Sequence, residues 1–480
     1  MKSTDARDLG YQKLARSDST IFLASIADPP LPKVTHYTLK LGVTPKEQRI
    51  SVIAQLELLN NTAETQLQIP VLLYRLLVVR SVSDENGKAI PFSQNVLALE
   101  DQTKLQANVV KIQLRTPLLP GKALRLKIGY EGFIFGYSES MAYVRDTIDE
   151  KFSLIRPDTF AYPMVATPTS KSVSASYDTL FTYHLDTTVP VDYTVASGGV
   201  LTSTKKGEGT VTFVHKSKTP TRRIDIAIAK FKILADDDRK LLVFTLPEDE
   251  SGAKDLLNGM KNVIAYYSRM FGSVENYQGY TVIEIPDGWG SQAGDYYALQ
   301  TAAAFKDPAR IGDMYHEVAH TWNARSKPGV QRCRYFDEAF ASYFESLATR
   351  EFQGEMAFLA DMEKSRSLFE QWANYDKRNY DTAIADYWKE ERGQLSYTKG
   401  AWSLYVLHRL VGDAKFQEIV REFVRAYSKQ GADFEDFRRT AEKISGRSLT
   451  QFFAEWVFGS ESSGLLVRKV PIAEIVKRYQ

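Results

Sequence analysis

Two histidines four residues apart enclose a glutamate in the segment HEVAH, residues 316–320. On an α-helix, residues at this spacing lie on one face, so the imidazoles of His316 and His320 can reach one cation. Glu317 lies about 100° further round the helix than His316. It is poorly placed to be a ligand, but it can take a proton from water on the cation. This spacing predicts a zinc site that activates water; the alternative is two surface histidines on one helix.

The elements that must position these side chains can be predicted around them. Asp307-Pro308 is a typical helix start, because the aspartate can cap the first amides and proline needs no amide donor there. A helix is predicted over residues 308–323, with an apolar stripe that continues through HEVAH. A second amphipathic helix, predicted over 336–352, begins with the segment DEAFASYFE.

A catalytic zinc usually has three protein ligands and one open position. Glu338 is the candidate for the third ligand, since its neighbours are apolar and a buried carboxylate needs a charge partner. Asp337 is predicted to stabilise the start of the helix through its negative charge. The alternative is that Glu338 has only this role as well. Glu345 is the reserve candidate. One zinc ion is therefore predicted, with His316, His320 and Glu338 as its ligands.

The rest of the chain divides into a β-rich part and a helical part. Alternating apolar residues between turn signals predict an antiparallel β-sandwich or saddle from Val34 to Ile233. The period then becomes helical, with one short strand at Tyr280–Ile285 and helices from Asp307 onward. Further helices are predicted over 355–373, 398–411, 414–428, 434–445 and 449–458. The predicted organisation is multidomain, β then α+β: an N-terminal extension over 1–29, a β-rich domain over 30–235 and a mostly helical domain over 236–480.

The composition excludes several classes of function. The 480 residues carry a formal net charge of +2 from mixed basic and acidic residues, which gives no indication of nucleic-acid binding. The single cysteine, Cys333, excludes an intramolecular disulfide and a multi-cysteine metal site. No apolar run suits a transmembrane helix or a signal peptide. The chain as given is expected to be soluble, either cytoplasmic or exported with its signal removed, and its oligomeric state stays open.

The segments HEVAHTW and DEAFASYFE together resemble the alanyl aminopeptidase family of gluzincin zinc peptidases, which includes leukotriene hydrolase. The family pattern is HExxH, eighteen residues, and then Glu within N-E-G-F-A-x-Y. Here seventeen residues separate His320 from Glu338, and Asp337 and Ala339 replace the Asn and the Gly. The sequence resembles the family from about residue 30 to 460, and the family's C-terminal helical-repeat domain has no counterpart in this resemblance. The resemblance implies that the second domain is thermolysin-like.

The resemblance also implies roles for further residues. Tyr397 lies in the segment YTKG, similar to the family's Y-x-K-G, whose tyrosine stabilises the tetrahedral intermediate. Asp295 stands where the family's G-A-M-E-N has a glutamate that binds the substrate α-amine; the alternative is an ordinary turn aspartate. Tyr296 and Tyr297 are candidates for the wall of the first side-chain pocket, or strand aromatics that pack on the core. The HTWN segment ending at Asn323 also resembles a sister family, the glycyl aminopeptidases.

These expectations describe a zinc metallopeptidase with a peptide substrate. Zinc would acidify its water and polarise the scissile carbonyl, while Glu317 moves the proton and Tyr397 donates to the oxyanion. If Asp295 binds the α-amine, the enzyme is an aminopeptidase that releases N-terminal residues. The alternatives are a zinc endopeptidase or small-molecule hydrolase on the same site, and a non-catalytic binding scaffold that retains the fold.

Overall fold

Strands with alternating burial form most of the first half of the chain. A computed structural model describes residues 29–238, 240–273, 277–327 and 329–480, so all but the last residue of the predicted N-terminal extension lies outside the described residues. In the described ranges the strands are β1 (Lys33–Thr44), β2 (Arg49–Leu59), β3 (Gln66–Tyr74), β4 (Leu77–Asp84), β5 (Phe92–Leu99), β6 (Gln102–Leu118), β7 (Ala123–Gly132), β8 (Phe152–Ile155), β9 (Met164–Val165), β10 (Thr182–Pro190), β11 (Thr194–Ser197), β12 (Val200–Lys206), β13 (Thr210–Lys216), β14 (Ile226–Ala229), β15 (Lys232–Asp236), β16 (Leu241–Thr245), β17 (Tyr280–Ile285), β18 (Gln292–Gly294) and β19 (Tyr297–Thr301).

Most of the helices follow residue 306. The α-helices of the described residues are α1 (Ser170–Tyr177), α2 (Glu250–Phe271), α3 (Ala303–Lys306), α4 (Ile311–Ala319), α5 (Phe340–Gln353), α6 (Glu355–Tyr375), α7 (Lys377–Asp381), α8 (Lys399–Val411), α9 (Asp413–Tyr427), α10 (Phe434–Ser445), α11 (Thr450–Phe453), α12 (Glu461–Val467) and α13 (Ile472–Lys477). The predicted fold class, a β-rich part followed by a mostly helical one, is confirmed. Among the described helices, none combines the length and the apolar character needed to cross a membrane.

The β part forms a large sheet and three smaller ones. The large sheet has the strand order β12-β13-β10-β1-β2-β7-β4, and a second has the order β5-β6-β3-β9. Every second residue of β2 is buried, which is the pattern of a strand with one face on a core. Although most pairs are antiparallel as predicted, β1 pairs with β10 in parallel. This is possible because the long chain between the two strands lets β10 return in the same direction as β1.

Packing divides the chain into two units. Unit 1 comprises the described residues up to Ala253 together with those of Gln278–Lys306, and unit 2 comprises those of Lys254–Tyr277 and Asp307–Gln480. The five-stranded sheet, with the order β15-β16-β17-β19-β18, therefore packs with unit 1. The domain boundary predicted at residue 235 stays a prediction.

The core of unit 2 holds α4 against α5. Tyr267 of α2 packs its ring on Trp322 and donates from its hydroxyl to the Tyr315 carbonyl, at 3.2 Å. Phe344 of α5 stacks on Phe271 with a ring-centroid distance of 4.2 Å. The apolar stripe predicted through HEVAH therefore faces the interior, and this packing determines where the polar residues of α4 point.

Unit 1 contains a buried network of ion pairs behind the β18–β19 hairpin. Arg156 and Asp146 are both fully buried, and the guanidinium approaches the carboxylate to 2.8 Å. Arg223 pairs with Asp158 at 2.8 Å. The amide oxygen of Gln292, on β18, accepts from both arginines. Because charges cut off from water are tolerated only when they are paired, this network fixes the hairpin on the rest of unit 1.

Removing one partner of this network should cost much more than removing a surface partner. Asp146→Ala leaves the Arg156 charge buried and unpaired, and we expect the free energy of unfolding to fall by about 3–5 kcal/mol in denaturant titrations. Glu131→Ala is the matched control, because Glu131 pairs with Arg80 at the surface; its cost should be about 1 kcal/mol or less. Equal losses in the two variants would contradict this account.

Candidate metal centre

The HEVAH segment lies at the end of a helix that starts as predicted. The Asp307 carboxylate accepts from the Ala309 amide at 3.0 Å, and Pro308 takes the first helical position. A 3-10 turn leads into α4, and another, His320–Trp322, extends it. Helical geometry therefore continues through the segment. Its two histidines share one face, as the four-residue spacing requires.

Glu338 comes to this face from the second predicted helix. It lies in a π-helical turn, Tyr335–Ala339, that leads into α5. Its Oε2 lies 3.0 Å from Nε2 of His316 and 3.7 Å from Nε2 of His320. One potential ligand atom from each of the three side chains lies within 4.8 Å of the others. The structure thus brings the three predicted ligands together at a spacing that one metal ion can bridge.

A second layer of carboxylates contacts the outer nitrogens of the two imidazoles. Nδ1 of His316 is 3.1 Å from Oε2 of Glu345, the reserve ligand candidate. Nδ1 of His320 is 3.0 Å from Oδ1 of Asp337, and the Asn323 amide lies 2.9 Å from the same nitrogen. An Nδ1 proton donated to a carboxylate leaves Nε2 free to bind a metal, which is how such acids orient ligand histidines.

The sequence pattern predicts Asp337 only as an acid that favours the helix start, and the structure adds its contact with His320. Asn323 was noticed only as part of the HTWN segment. A signal was available, because histidines that bind a metal usually donate their second ring N–H to a further acceptor, often an acid. Which acids they are depends on how the Asp337 turn packs against α4.

The electrostatics of the cluster favour a bound cation. Burial opposes a charge on His316, yet the carboxylates of Glu338 and Glu345 raise its pKa well above the usual value. The pKa of His320 is also raised, against the effect of burial, by Asp337 and Glu338. A cluster that favours positive charge on both imidazoles, and that offers two nitrogens and a carboxylate oxygen, fits a divalent metal such as zinc.

Glu317 is buried on α4 between the two histidines in sequence. Burial raises the pKa of its carboxyl to about 6, while the positive charge on His316 and His320 acts in the opposite direction. A carboxylate with a pKa in this range can accept a proton near neutral pH and return it later, which is what a general base requires.

Tyr397 lies beside the candidate metal-binding cluster, which is formed by His316, His320, Glu338 and the carboxylates that contact the two imidazoles. Its ring stacks on the His316 ring at a centroid distance of 5.8 Å and an interplanar angle of 8°. The neighbouring Ser396 hydroxyl donates to the Cys333 carbonyl at 2.6 Å, close to the start of the Glu338 turn. Gly400 allows this approach, because a Cβ there would lie 2.7 Å from the Ala339 Cβ. The close contact between Gly400 and Ala339 therefore positions Tyr397 beside His316.

Lys399, next to this contact, is fully buried. Its Nζ donates to the Ser463 hydroxyl at 3.0 Å, near the start of α12. Burial lowers the pKa of the amine to about 7, and the Glu461 charge opposes this only in part. The bond joins the segment that carries Tyr397 to a helix that the sequence patterns did not predict.

Asp295, Tyr296 and Tyr297 belong to unit 1. Since Gly294 pairs with Tyr297 across the β18–β19 hairpin, Asp295 and Tyr296 form a two-residue turn. Asp295 is exposed, and Tyr296 has a left-handed backbone with φ of 62°. Tyr297 is buried, and its hydroxyl donates to the Asp225 carboxylate at 2.5 Å. Tyr297 is thus a strand aromatic packed in unit 1, whereas Tyr296 is half-buried at the turn.

Comparison with known proteins finds a family domain that resembles the part of the chain holding this site. Residues 302–456 match the peptidase family M1 domain, and they include the HEVAH helix, Glu338 and Tyr397. This confirms the resemblance noted in the sequence, and the M1 match covers the potential metal site.

Curated proteins of two other organisms align with about half of this chain. Probable aminopeptidase 2 of Sulfurisphaera tokodaii is 24% identical over 269 residues, which are 52% of this chain and 34% of that protein. Tricorn protease-interacting factor F2 of Thermoplasma volcanium is 22% identical over an alignment of 265 residues. This alignment covers 51% of this chain and 34% of that protein. The chain thus aligns with about a third of the length of these curated relatives.

Solved structures of M1 proteins share the fold over a larger part of the chain. An M1 zinc metallopeptidase from Deinococcus radiodurans superimposes with a TM-score of 0.63 at 18% sequence identity. The match covers 90% of this chain and 95% of that one. At this identity the likeness concerns the fold, and the chemistry has to be argued from the side chains of the M1 domain.

The buried amine of Lys399 predicts a pH-dependent stability difference. In the unfolded chain a lysine titrates near 10.5. Between pH 7 and 10.5 the unfolded state therefore binds more protons, so this group makes wild-type stability rise with pH in that window. Below pH 7 both states are charged and the cost of burial is complete. We expect Lys399→Met to gain stability over the wild type at pH 7 and to lose that gain toward pH 10.

Thermal or denaturant unfolding at several pH values measures the stability difference between Lys399→Met and the wild type. Each pH unit between the folded and unfolded pKa values of the amine corresponds to about 1.4 kcal/mol. Lys377→Met is the matched control, since Lys377 is exposed and its removal should change stability equally at every pH. A pH-independent difference for Lys399→Met would show that this amine titrates alike in the folded and unfolded states.

Proposed function

We propose that this chain is a zinc-dependent aminopeptidase that releases N-terminal residues from peptides. The observation that carries the proposal is the convergence of two imidazole nitrogens and the Glu338 carboxylate within 4.8 Å. Two nitrogens and one oxygen make a three-ligand set that leaves a position open, which is typical of catalytic rather than structural zinc. The match of residues 302–456 to the peptidase family M1 domain supports a hydrolase on these residues.

In this proposal His316, His320 and Glu338 hold the zinc. Zinc supplies a Lewis acid that lowers the pKa of water and polarises the scissile carbonyl. Glu317 accepts the proton of the attacking water and passes it to the leaving amine, a role that suits its raised pKa. The Tyr397 phenol, beside His316, donates a hydrogen bond to the oxyanion that develops on the carbonyl.

The relatives support a peptide substrate. Two curated relatives are named as probable aminopeptidases. The Deinococcus radiodurans protein has been solved as a mutant with the substrate Tyr-Ser-Ala. Other matching structures are of a two-domain M1 metallopeptidase mutant with L-tryptophan or L-arginine. We infer that this chain also acts on short peptides with a free N-terminus.

Asp295 is our candidate for binding the α-amine of the substrate. Its carboxylate is exposed on a two-residue turn, and the following Tyr296 has a left-handed backbone that costs a non-glycine residue about 1 kcal/mol or more. The buried Tyr297 holds the base of the turn through Asp225. Tyr296, half-buried on the same turn, remains the candidate for the wall of the first side-chain pocket. An endopeptidase is the alternative, because Asp295 is shorter than the glutamate of the family.

Glu317→Gln should separate the base from the metal ligands. We expect it to keep stoichiometric zinc but to lose about 10²- to 10⁴-fold in kcat, because glutamine cannot accept the proton. Glu338→Ala should lose the zinc as well, measured by elemental analysis after dialysis. Glu351→Gln, on α5 but paired at the surface with Arg269, is the control and should match the wild type. Full activity in Glu317→Gln would disprove its role as the base.

A second experiment tests cleavage from a free N-terminus. We expect the wild type to hydrolyse an aminoacyl-amidocoumarin far faster than its N-acetylated form, and chelation of the metal to stop both reactions. Asp295→Ala should raise KM for the free-amine substrate about tenfold or more, because a charge-assisted hydrogen bond is lost. Asp295→Glu should retain most of the preference. Equal hydrolysis of both substrates by the wild type would favour the endopeptidase or small-molecule hydrolase instead.

A further inference from the structure

Arg334 contacts two acids of the metal-binding cluster from the residue just before the π-helical turn. Its guanidinium lies 2.9 Å from Oδ2 of Asp337 and also donates to Oε1 of Glu338. The Glu338 side chain is only 4% exposed, so its bond to Arg334 is not an ordinary surface ion pair. The Arg334 side chain as a whole is 47% exposed, while its guanidinium contacts the buried carboxylate.

Local preferences do not favour an arginine at this position. The backbone of Arg334 is left-handed, with φ of 54°, a conformation in which glycine has no Cβ penalty. The residue also places a positive charge at the N-terminus of a helix, where the helix dipole favours a negative one. A residue that breaks two local rules at one position needs a reason elsewhere in the structure, and such places are usually functional.

The reason for an arginine at this position is that its guanidinium gives the two oxygens of Glu338 different partners. Oε1 is bonded to Arg334, whereas Oε2 faces the Nε2 atoms of His316 and His320. A carboxylate held in this way offers one oxygen to a metal instead of two. The position that a second oxygen would fill then stays available for water or substrate, which a catalytic site requires.

The same guanidinium also acts on His320. Asp337 accepts from Arg334 through Oδ2 and contacts Nδ1 of His320 through Oδ1, at 3.0 Å. The two contacts thus hold the Asp337 carboxylate in place as the acceptor for the imidazole. Two of the three ligand side chains, Glu338 directly and His320 through Asp337, are therefore oriented by one arginine.

We propose that Arg334 is a positioning residue of the metal centre, which restricts Glu338 to binding through Oε2 and holds Asp337 against His320. The inference rests on the proposed zinc site. It differs from a purely structural role, in which Arg334 would only stabilise the turn. In that case replacing Arg334 should lower the stability of the apoprotein but leave the zinc affinity of the folded protein unchanged.

Zinc affinity of the full-length apoprotein tests the proposal, by competition with a chromophoric chelator. We expect Arg334→Gly and Arg334→Met to raise the zinc Kd about 10- to 100-fold, the usual effect of losing a group that orients ligands. Arg334→Lys should lie between them and the wild type, because it keeps the charge but not the planar fork. Arg332→Met, two residues earlier and also exposed, is the matched control and should leave the Kd unchanged.

Two further readouts separate positioning from folding. In Arg334→Gly the relief of left-handed strain offsets part of the loss of the ion pairs. A fold that circular dichroism shows to be intact at the temperature of the zinc titration then means that a raised Kd reports the positioning of the ligands. The visible spectrum of cobalt-loaded Arg334→Met should show weaker absorption than the wild type, because a second Glu338 oxygen raises the coordination number. Asp337→Asn should also raise the zinc Kd, and less than additively with Arg334→Met, because the two residues act on one imidazole.

The outcomes distinguish this inference from the proposed function. Wild-type protein that binds no zinc would overturn the proposed function, and the role of Arg334 with it. Wild-type protein that binds zinc, with an unchanged Kd in Arg334→Gly and Arg334→Met, would overturn only the role of Arg334. A weakened Kd accompanied by an equal loss in the Arg332→Met control would also contradict it.

Discussion

The site in unit 2 depends on a contact of 3.0 Å between Nε2 of His316 and Oε2 of Glu338. These atoms belong to different helical segments, and neither group would be stable in the interior without a charged partner. The two segments must therefore meet at a fixed distance and angle. Aromatic packing of Phe344 on Phe271 and the close approach of Gly400 to Ala339 hold them there. The rest of the site follows from this crossing.

Acidic and basic side chains alternate outward from the contact between His316 and Glu338. Glu338 lies innermost, the two imidazoles surround it, and Glu345 and Asp337 contact the outer nitrogens. Arg334 balances the acids on one side only. The result favours a cation between the imidazoles while keeping every carboxylate partnered. This arrangement explains how so many ionisable groups are accommodated, and it connects the proposed zinc chemistry to residues beyond the three ligands.

Departures from the family pattern also have physical accounts. Ala339 stands where the family has glycine, and it fits because Gly400, opposite it, has no side chain. Asp337 stands where the family has asparagine, and its added negative charge is met by Arg334 and His320. In unit 1, Asp295 is carried by a hairpin whose base is anchored by Tyr297 and Asp225. Ala339 and Asp337 are thus each matched by a contact with another element, Gly400 for Ala339 and His320 for Asp337.

Much of this could be predicted from the sequence because periodicity and caps are local. The Asp307 cap, the shared face of HEVAH and a helix over 434–445 depend on residues within a few positions of one another, and the structure has all three. Which nitrogen each imidazole turns inward, the contact of Asp337 with His320 and the burial of Tyr297 depend on packing between remote segments. So do the parallel pairing of β1 with β10 and the last two helices, α12 and α13. No local pattern encodes such contacts, so only the tertiary structure decided them.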